Sequence, residues 1–265
     1  MSKFDIDKQT LTDLNIFEDY GLNKSVYSLF NFTSTIKGND KLMEMFRTPS
    51  TDIECINERQ ELIKYISNYS ADFYLDRTDM DFVESYLMQN SKVKSYSIVS
   101  ALIKSVNYFF YPNQAYYLKE KGITGIIFLL KKVSGIFNLL NDEIKPKLVE
   151  KIEDVIVVLS KQSLIKEIID RNDKKISLFE LERLDFIFNK QEFKTIRSFL
   201  DLVYLFDAYF SVVKACRKYN LNLPKISSEK TASVYKRCFS SVFSESSCQR
   251  FRIWNGKKYL FPHRE

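Results

Sequence analysis

Apolar residues recur every three or four positions over most of this chain, the spacing that places them on one face of an α-helix. Residues 1–24 lack that period and are expected to be irregular or extended. The predicted helices are 25–30, from 33 or 34 to about 46, from 51 to about 66, 79–89, 95–111, 114–121, 123–140, about 146–170, 177–189 and 191–220. The last spans roughly 45 Å at 1.5 Å per residue, which predicts an extended strut rather than a core helix.

The stretch from Thr33 to Gln60 predicts two helices that meet at a sharp elbow. Thr33 or Ser34 is expected to cap the first helix, and Pro49 ends it, because a proline disfavours helical geometry in the residue before it. Thr51-Asp-Ile-Glu54 matches a capping box that opens the second helix. Gly38 lies inside the first helix at a cost of about 1 kcal/mol against alanine, so we expect another segment to pack closely there.

The chain changes character after Pro224, which predicts a boundary between 1–224 and 225–265. The tail contains eight serines, the only tryptophan and the only histidine. Its sequence FRIWNGKKYLF places Asn-Gly between two apolar segments, the strongest short-range signal for a β-hairpin. The predicted fold class is therefore all-α, with a short β-hairpin at the C-terminus.

Charge is distributed unevenly along the chain. The whole chain has a net charge of +6, and residues 225–265 alone carry that excess, with nine basic and three acidic side chains. The body is therefore neutral and shows no overall preference for nucleic acid. Lys257 and Lys258, expected at the hairpin tip, are the candidates for a phosphate contact, although a solvated turn explains them more simply.

Composition favours a cytoplasmic protein that does not cross a membrane. The longest apolar run, GITGIIFLL at 122–130, is nine residues long, whereas a membrane helix needs roughly 20. The first residues show no apolar signal-peptide core. Four cysteines without a C-x-x-C pair suit neither a zinc site nor a compact disulfide framework, so a reducing compartment is expected.

The sequence offers little chemistry for catalysis. His263 stands alone near the end of the chain, and Asp79 and Asp81 fall on different sides of a helix. Cys238 and Cys248 lack recognisable further metal ligands. Neither G-x-x-x-x-G-K-[ST] nor G-x-G-x-x-G occurs, and the G-x-x-G match at 122–125 is better explained by helix packing. We expect a non-enzymatic chain without a cofactor or metal.

Two segments resemble the core domain of the MutS family of DNA mismatch-repair ATPases. The first runs from Thr10 to Ile66, and the second, LFDAYFSVVKACRKYNLNLPKI, covers 205–226. The matching residues of the first are Thr10, Asp13, Leu14, Ile16, Ser28–Asn31, Thr33, Thr35, Gly38, Leu42, Pro49, Asp52, Ile53, Ile56, Arg59 and Gln60. Those of the second are Asp207, Ala208, Ser211, Ala215 and Pro224.

The resemblance implies a MutS-type helical core with long lever helices, in which the first and last helices pack together. Gly38, Pro49, Asp52, Arg59 and Asp207 would be architectural, with Arg59 binding a carboxylate or helix-end carbonyls. The family's mismatch-reading, clamp and ATPase domains are not seen in this sequence. ATP, magnesium and mismatched DNA are therefore expected as ligands of a complete family protein rather than of this chain.

Two functional hypotheses follow. The first is a non-catalytic core-and-lever domain of a DNA repair or recombination ATPase. The second is a stand-alone helical scaffold that binds a protein partner or forms a homodimer, with its basic tail as the docking element. A third, an enzyme with an unrecognised site, would require a cleft lined by ionisable groups of perturbed pKa.

Overall fold

The computed structural model describes residues 8–17, 25–69, 73–89, 114–139, 145–171 and 175–224, and the backbone of 251–254 and 257–260. The described part is all-α apart from one two-stranded hairpin. Its helices are α1 Lys8–Asp13, α2 Val26–Phe30, α3 Ile36–Arg47, α4 Ile53–Ser67, α5 Arg77–Met88, α6 Gln114–Leu139, α7 Lys147–Ser160, α8 Ser163–Asp170, α9 Leu178–Phe186 and α10 Phe193–Tyr219, with a π-turn at Ile187–Gln191.

Helix α10 is the central element of the core, so the prediction of an extended strut is wrong. It packs against α2, α3, α4, α7 and the π-turn. Its buried side chains include Ile196, Phe199, Leu200, Val203, Tyr204, Phe206, Phe210 and Val213. Length alone suggested a strut, but apolar residues occupy several faces of this helix, and only a helix surrounded by others can bury them all. Asn220 ends it in the left-handed conformation, at φ 53°.

An aromatic cluster fixes the C-terminal half of α10 to its neighbours. The rings of Phe206 and Phe210 lie 5.0 Å apart, edge to face. Phe73 lies 4.9 Å from Phe210, and Phe137 of α6 lies 5.7 Å from Phe206. Ring contacts of this geometry each add about 0.5–1.5 kcal/mol beyond the burial of their area.

Helix α6 runs unbroken through Gly122, where the sequence suggested two helices. A Cβ added at Gly122 would lie 2.3 Å from the Cβ of Tyr86, and one at Gly125 would lie 2.6 Å from Val83. These glycines thus let α5 and α6 approach closely, which confirms packing as the role of the GITG segment. Of the described helices, α6 alone is long and apolar enough to cross a membrane, but half of its most apolar window is buried inside the protein, and core helices pass the same test.

Several helix boundaries differ from the sequence prediction. Thr35 caps α3, rather than Thr33 or Ser34, and Asp52 caps α4, rather than Thr51. The helix predicted over about 146–170 is interrupted at Lys161 and Gln162 to give α7 and α8. The one predicted over 177–189 leaves α-geometry after Phe186. Neighbouring residues at such sites have similar capping propensity, so tertiary contacts determine where each helix begins or ends.

Strands β1 Phe251–Trp254 and β2 Lys257–Leu260 pair antiparallel, as the Asn-Gly pair predicts. Lys257 and Lys258 begin β2 opposite Trp254 and Ile253, so they lie in a strand beside the turn. The side chains of both strands lie outside the described part. So do Cys238, Cys248, His263 and the helix predicted over 95–111.

Candidate functional site: the clasp and the elbow groove

The buried carboxylate of Asp207 on α10 joins the end of the described body to its beginning. Both carboxylate oxygens accept the backbone N–H of Ser34, each at 3.1 Å. Oδ2 also accepts the backbone N–H of Thr35 at 3.0 Å and its hydroxyl at 2.8 Å. Asp207 is only 1% exposed, so these bonds replace its lost hydration.

Ser211 makes a second link one helical turn after Asp207, on the same face of α10. Its hydroxyl accepts the backbone N–H of Phe32 at 2.6 Å and donates to the carbonyl of Phe30 at 2.5 Å. Together Asp207 and Ser211 hold the segment that joins α2 to α3. We call Ser34, Thr35, Gly38, Asp207 and Ser211 the clasp.

Gly38 is required by the geometry of the clasp. Its backbone N–H donates to the Thr35 hydroxyl oxygen at 2.9 Å, which is the cap of α3. A Cβ at this position would lie 2.2 Å from Oδ2 of Asp207 and 2.7 Å from Oγ1 of Thr35. The close approach that the sequence predicted at Gly38 is therefore present, and the approaching group is a carboxylate.

Two opposing effects set the ionisation of Asp207. Burial raises the pKa of its carboxyl group, and the hydrogen bonds from Ser34 and Thr35 act in the opposite direction, leaving the pKa above its ordinary value. Within the described residues, no basic side chain forms an ion pair with Asp207. Its charge lies at the N-terminus of α3, where the helix dipole favours an anion.

The elbow between α3 and α4 consists of Thr48 to Asp52. The Thr48 hydroxyl donates to the carbonyl of Glu44 at 2.8 Å and so closes the end of α3. Asp52 accepts the backbone N–H of Glu54 at 3.0 Å and so begins α4. Pro49 lies between them, as predicted from its incompatibility with a continuing helix.

A groove of about 400 Å³ lies between this elbow, the start of α7 and the middle of α10. Pro49, Leu62, Pro146, Leu148, Leu202 and Leu205 form its apolar lining. A second groove of about 350 Å³ shares Thr48, Arg59, Leu202 and Leu205 with the first, so the two are continuous. We call the pair the elbow groove.

Arg59 lines both parts of the elbow groove. The sequence predicted that it binds a carboxylate or helix-end carbonyls, but among the residues placed by the structure it forms neither a hydrogen bond nor an ion pair. Lys147, also in the groove, pairs with Glu58. The guanidinium group of Arg59 therefore faces the groove and, within the described residues, does not stabilise the fold through an ion pair.

Two polar networks outside the clasp were not anticipated. Tyr86 donates to Asp185 at 2.8 Å and accepts from Asn189 of the π-turn at 2.8 Å, in a buried site. Lys119 completes this network with ion pairs to Glu182 at 2.7 Å and Asp185 at 3.4 Å. Their sequence separation left no local signal, because the pairing depends on α5, α6 and α9 meeting in space.

The second network surrounds Glu84 of α5. Arg197 and Lys37 each approach its carboxylate at 2.8 Å, and the Tyr204 hydroxyl donates to it at 2.6 Å. Burial by itself raises the pKa of Glu84, but these three donors together lower the pKa below its ordinary value. The network ties α3, α5 and α10 together, so it is a structural element.

No protein-family model matches this chain, and no curated protein matches it significantly. Within the described ranges, no cluster of three or more His, Cys, Asp or Glu side chains could hold a metal ion. The roles of the clasp and the elbow groove are therefore inferred from their geometry.

Proposed function

We propose that this chain is a MutS-type core-and-lever domain of a DNA mismatch-repair or recombination ATPase. It is non-catalytic, and it couples DNA contact to an ATP-driven change in a complete protein. One observation carries the proposal: the two segments that resemble the family meet in space. Thr35 of the first segment donates its hydroxyl to Asp207 of the second and accepts the backbone N–H of Gly38. Ser211 of the second segment bonds the backbone of Phe30 and Phe32 in the first.

The mechanical role rests on the rigidity of α10. Its 27 residues span roughly 40 Å. The clasp and the aromatic cluster hold its C-terminal half, and the Glu84 network holds Arg197 near its N-terminal end. A displacement imposed at one end of such a helix is transmitted to the other through packed contacts. The π-turn immediately before α10 is the expected place for a bend, since sharp helix kinks commonly occur at π-bulges.

Ligand binding in this proposal belongs to the complete protein. ATP and magnesium would act at an ATPase domain, and we assign no residue of this chain to them. Lys257 and Lys258 are the candidates for a direct phosphate contact, because they begin a strand in the basic tail. The neutral body supports positioning rather than DNA binding.

The second candidate function is a helical interaction scaffold that binds a protein partner through its surface and its basic tail. The elbow groove favours this alternative, because a cationic side chain there faces apolar walls without an internal partner. A homodimer is included in this hypothesis, in which case the partner is a second copy of this chain.

A DNA-binding measurement on the full chain separates the two functions. Fluorescence anisotropy would use a labelled mismatched duplex and its matched counterpart at about 50 and about 200 mM salt, where phosphate contacts weaken steeply. A double Lys257→Ala, Lys258→Ala variant serves as the control for charge in the tail. Salt-sensitive binding supports the core-and-lever proposal, and loss of that binding in the double variant assigns it to the tail.

The absence of binding to either duplex, together with a discrete protein partner, would favour the scaffold. The coding sequence flanking this chain in its genome provides an independent check. A G-x-x-x-x-G-K-[ST] motif downstream in any reading frame supports a link to an ATPase. No such motif, combined with no DNA binding, would overturn the core-and-lever proposal.

A further inference from the structure

The elbow groove contains a tyrosine hydroxyl without an internal partner in the described part of the chain. Tyr209 of α10 is only 6% exposed and lines the groove. Its phenol forms no hydrogen bond with any residue in the described part of the chain. Burial raises the pKa of this phenol, with Arg59 acting in the opposite direction, so the hydroxyl remains a proton donor at neutral pH. The hydroxyl oxygen keeps contact with solvent, so an acceptor bound in the groove could take the place of water as its hydrogen-bond partner.

Further donors converge on the same groove. Arg59 offers a planar guanidinium group, and Lys151 offers an ammonium group with no ion pair in the described ranges. Helix α7 starts after Pro146, and no side chain caps it. The first N–H groups of a helix lack internal acceptors and attract anions. The phenol, the two cations and this helix start therefore all favour a bound anion.

The acidic side chains of the groove limit the charge of that anion. Glu58 pairs with Lys147, and Asp52 caps α4. Glu44, paired with Lys41, and Asp201 add two further carboxylates in the second part of the groove. A phosphate group, with a charge of about −1.5 to −2, would be repelled more strongly by them than a carboxylate. A carboxylate also matches the guanidinium fork of Arg59 in two parallel hydrogen bonds.

The shape of the groove favours an extended chain over a compact molecule. Its two parts share Arg59, Leu202 and Leu205, so Arg59 lies where the largely apolar first part meets the second part. Lys41, Glu44, Met45 and Asp201 also line that second part. An extended peptide presents side chains alternately to either face, and residues two apart point the same way. A short segment of a partner could thus place one acidic side chain beside Arg59 and apolar neighbours against the leucines.

We propose that the elbow groove binds an extended segment of a partner protein whose glutamate or aspartate side chain lies between Arg59 and the Tyr209 hydroxyl. The site requires only the geometry of α4, α7 and α10, so it does not rest on the likeness to the MutS family. Apolar residues flanking the acidic one pack on Leu148, Leu202 and Leu205.

The test is a nuclear magnetic resonance titration of the full chain with three blocked peptides. These are acetyl-Leu-Glu-Leu-amide, its glutamine counterpart and its phosphoserine counterpart. The glutamate peptide should shift the amide signals of Lys147 and Leu148 at the start of α7. It should bind about tenfold more tightly than the glutamine peptide, because a charge-assisted bond is roughly twice as strong as a neutral one. The phosphoserine peptide should bind more weakly than the glutamate peptide.

Variants then assign the contact to its residues. Arg59→Ala should weaken binding of the glutamate peptide about tenfold, and Tyr209→Phe about fivefold, since the ring is kept and one hydrogen bond is lost. Arg77→Ala and Tyr219→Phe are matched controls outside the groove and should leave binding unchanged. The same spectra report whether each variant is folded.

Several results would overturn the proposal. Equal binding of the glutamate and glutamine peptides would remove the role of the carboxylate, and full binding by Tyr209→Phe would remove the role of the Tyr209 hydroxyl. Tighter binding of the phosphoserine peptide would identify a phosphate site instead. No shift at the start of α7 at the highest peptide concentration would mean that the groove does not accept such a segment.

Discussion

Replacing Gly38 with alanine should destabilise this protein, although the same change inside an exposed helix normally stabilises it by about 1 kcal/mol. The sign reverses because the new Cβ would lie 2.2 Å from Oδ2 of Asp207. That carboxylate is short, buried and held by bonds to Ser34 and Thr35, so it cannot rotate aside without losing them.

The size of the effect follows from three contributions. Overpacking a tight site costs about 1–3 kcal/mol. Weakening hydrogen bonds to a charged group costs a further 1.5–3 kcal/mol or so. The helix propensity of alanine returns about 1 kcal/mol. The net loss is about 1.5–5 kcal/mol, or roughly 3–20 °C in melting temperature for a chain of this size. Gly38→Leu should lower the melting temperature further.

The assay is thermal and urea unfolding followed by circular dichroism, with Gly135→Ala as the matched control. Gly135 lies in the exposed surface of α6, and nothing lies within 4 Å of a Cβ added there. That variant should be unchanged or slightly more stable. In an Asp207→Ala background, which removes the carboxylate and leaves only the contact with Oγ1 of Thr35, Gly38→Ala should cost less than in the native background. An unchanged or raised melting temperature for Gly38→Ala in the native background would refute the clasp reasoning.

Three further predictions concern the helix pairs around α5. Gly122→Ala should lower stability by about 1–3 kcal/mol in urea unfolding, because the Cβ of Tyr86 cannot rotate away from the new methyl group; stability equal to that of the native chain would contradict this close approach. Tyr86→Phe should cost about 1–3 kcal/mol, because the buried network loses its bridging hydroxyl; an unaffected unfolding midpoint would argue against that network. Since the folded pKa of Glu84 is lowered, its contribution to stability is present above its unfolded pKa of about 4.3 and is lost as the pH falls further. The free energy of unfolding of Glu84→Gln should therefore fall less steeply than that of the native chain between about pH 5 and about pH 3. An equal fall in both proteins would count against the bonds from Arg197 and Tyr204.

Much of the local structure could be predicted from short stretches of the sequence. Ser25, Gly38, Pro49 and the Asn-Gly pair before Lys257 each act on neighbouring residues, so helix starts, the elbow and the strand pairing follow from local chemistry. Boundaries were less predictable. Thr35 caps α3 in preference to its neighbours because its hydroxyl also bonds Asp207, a residue 172 positions away.

Exposure was also harder to predict than helix formation. Ile36 begins α3 with the apolar character expected of a core residue, yet it is 46% exposed. A periodic pattern identifies a helix, but other helices decide which of its apolar residues they cover. The same reason explains the burial of α10: its length suggested a strut, but the helices packed around it place it in the core.

The sequence by itself determined that this chain is helical, that an elbow lies at Pro49, and that Gly38 accommodates a close neighbour. Only the tertiary structure decided that this neighbour is the Asp207 carboxylate, that Arg59 faces a groove, and that the Tyr209 hydroxyl has no internal partner in the described part. Helix propensity and capping depend on interactions within a few residues, which the sequence contains explicitly. Contacts between distant segments depend on how all the helices share one core, and that arrangement is a property of the whole chain.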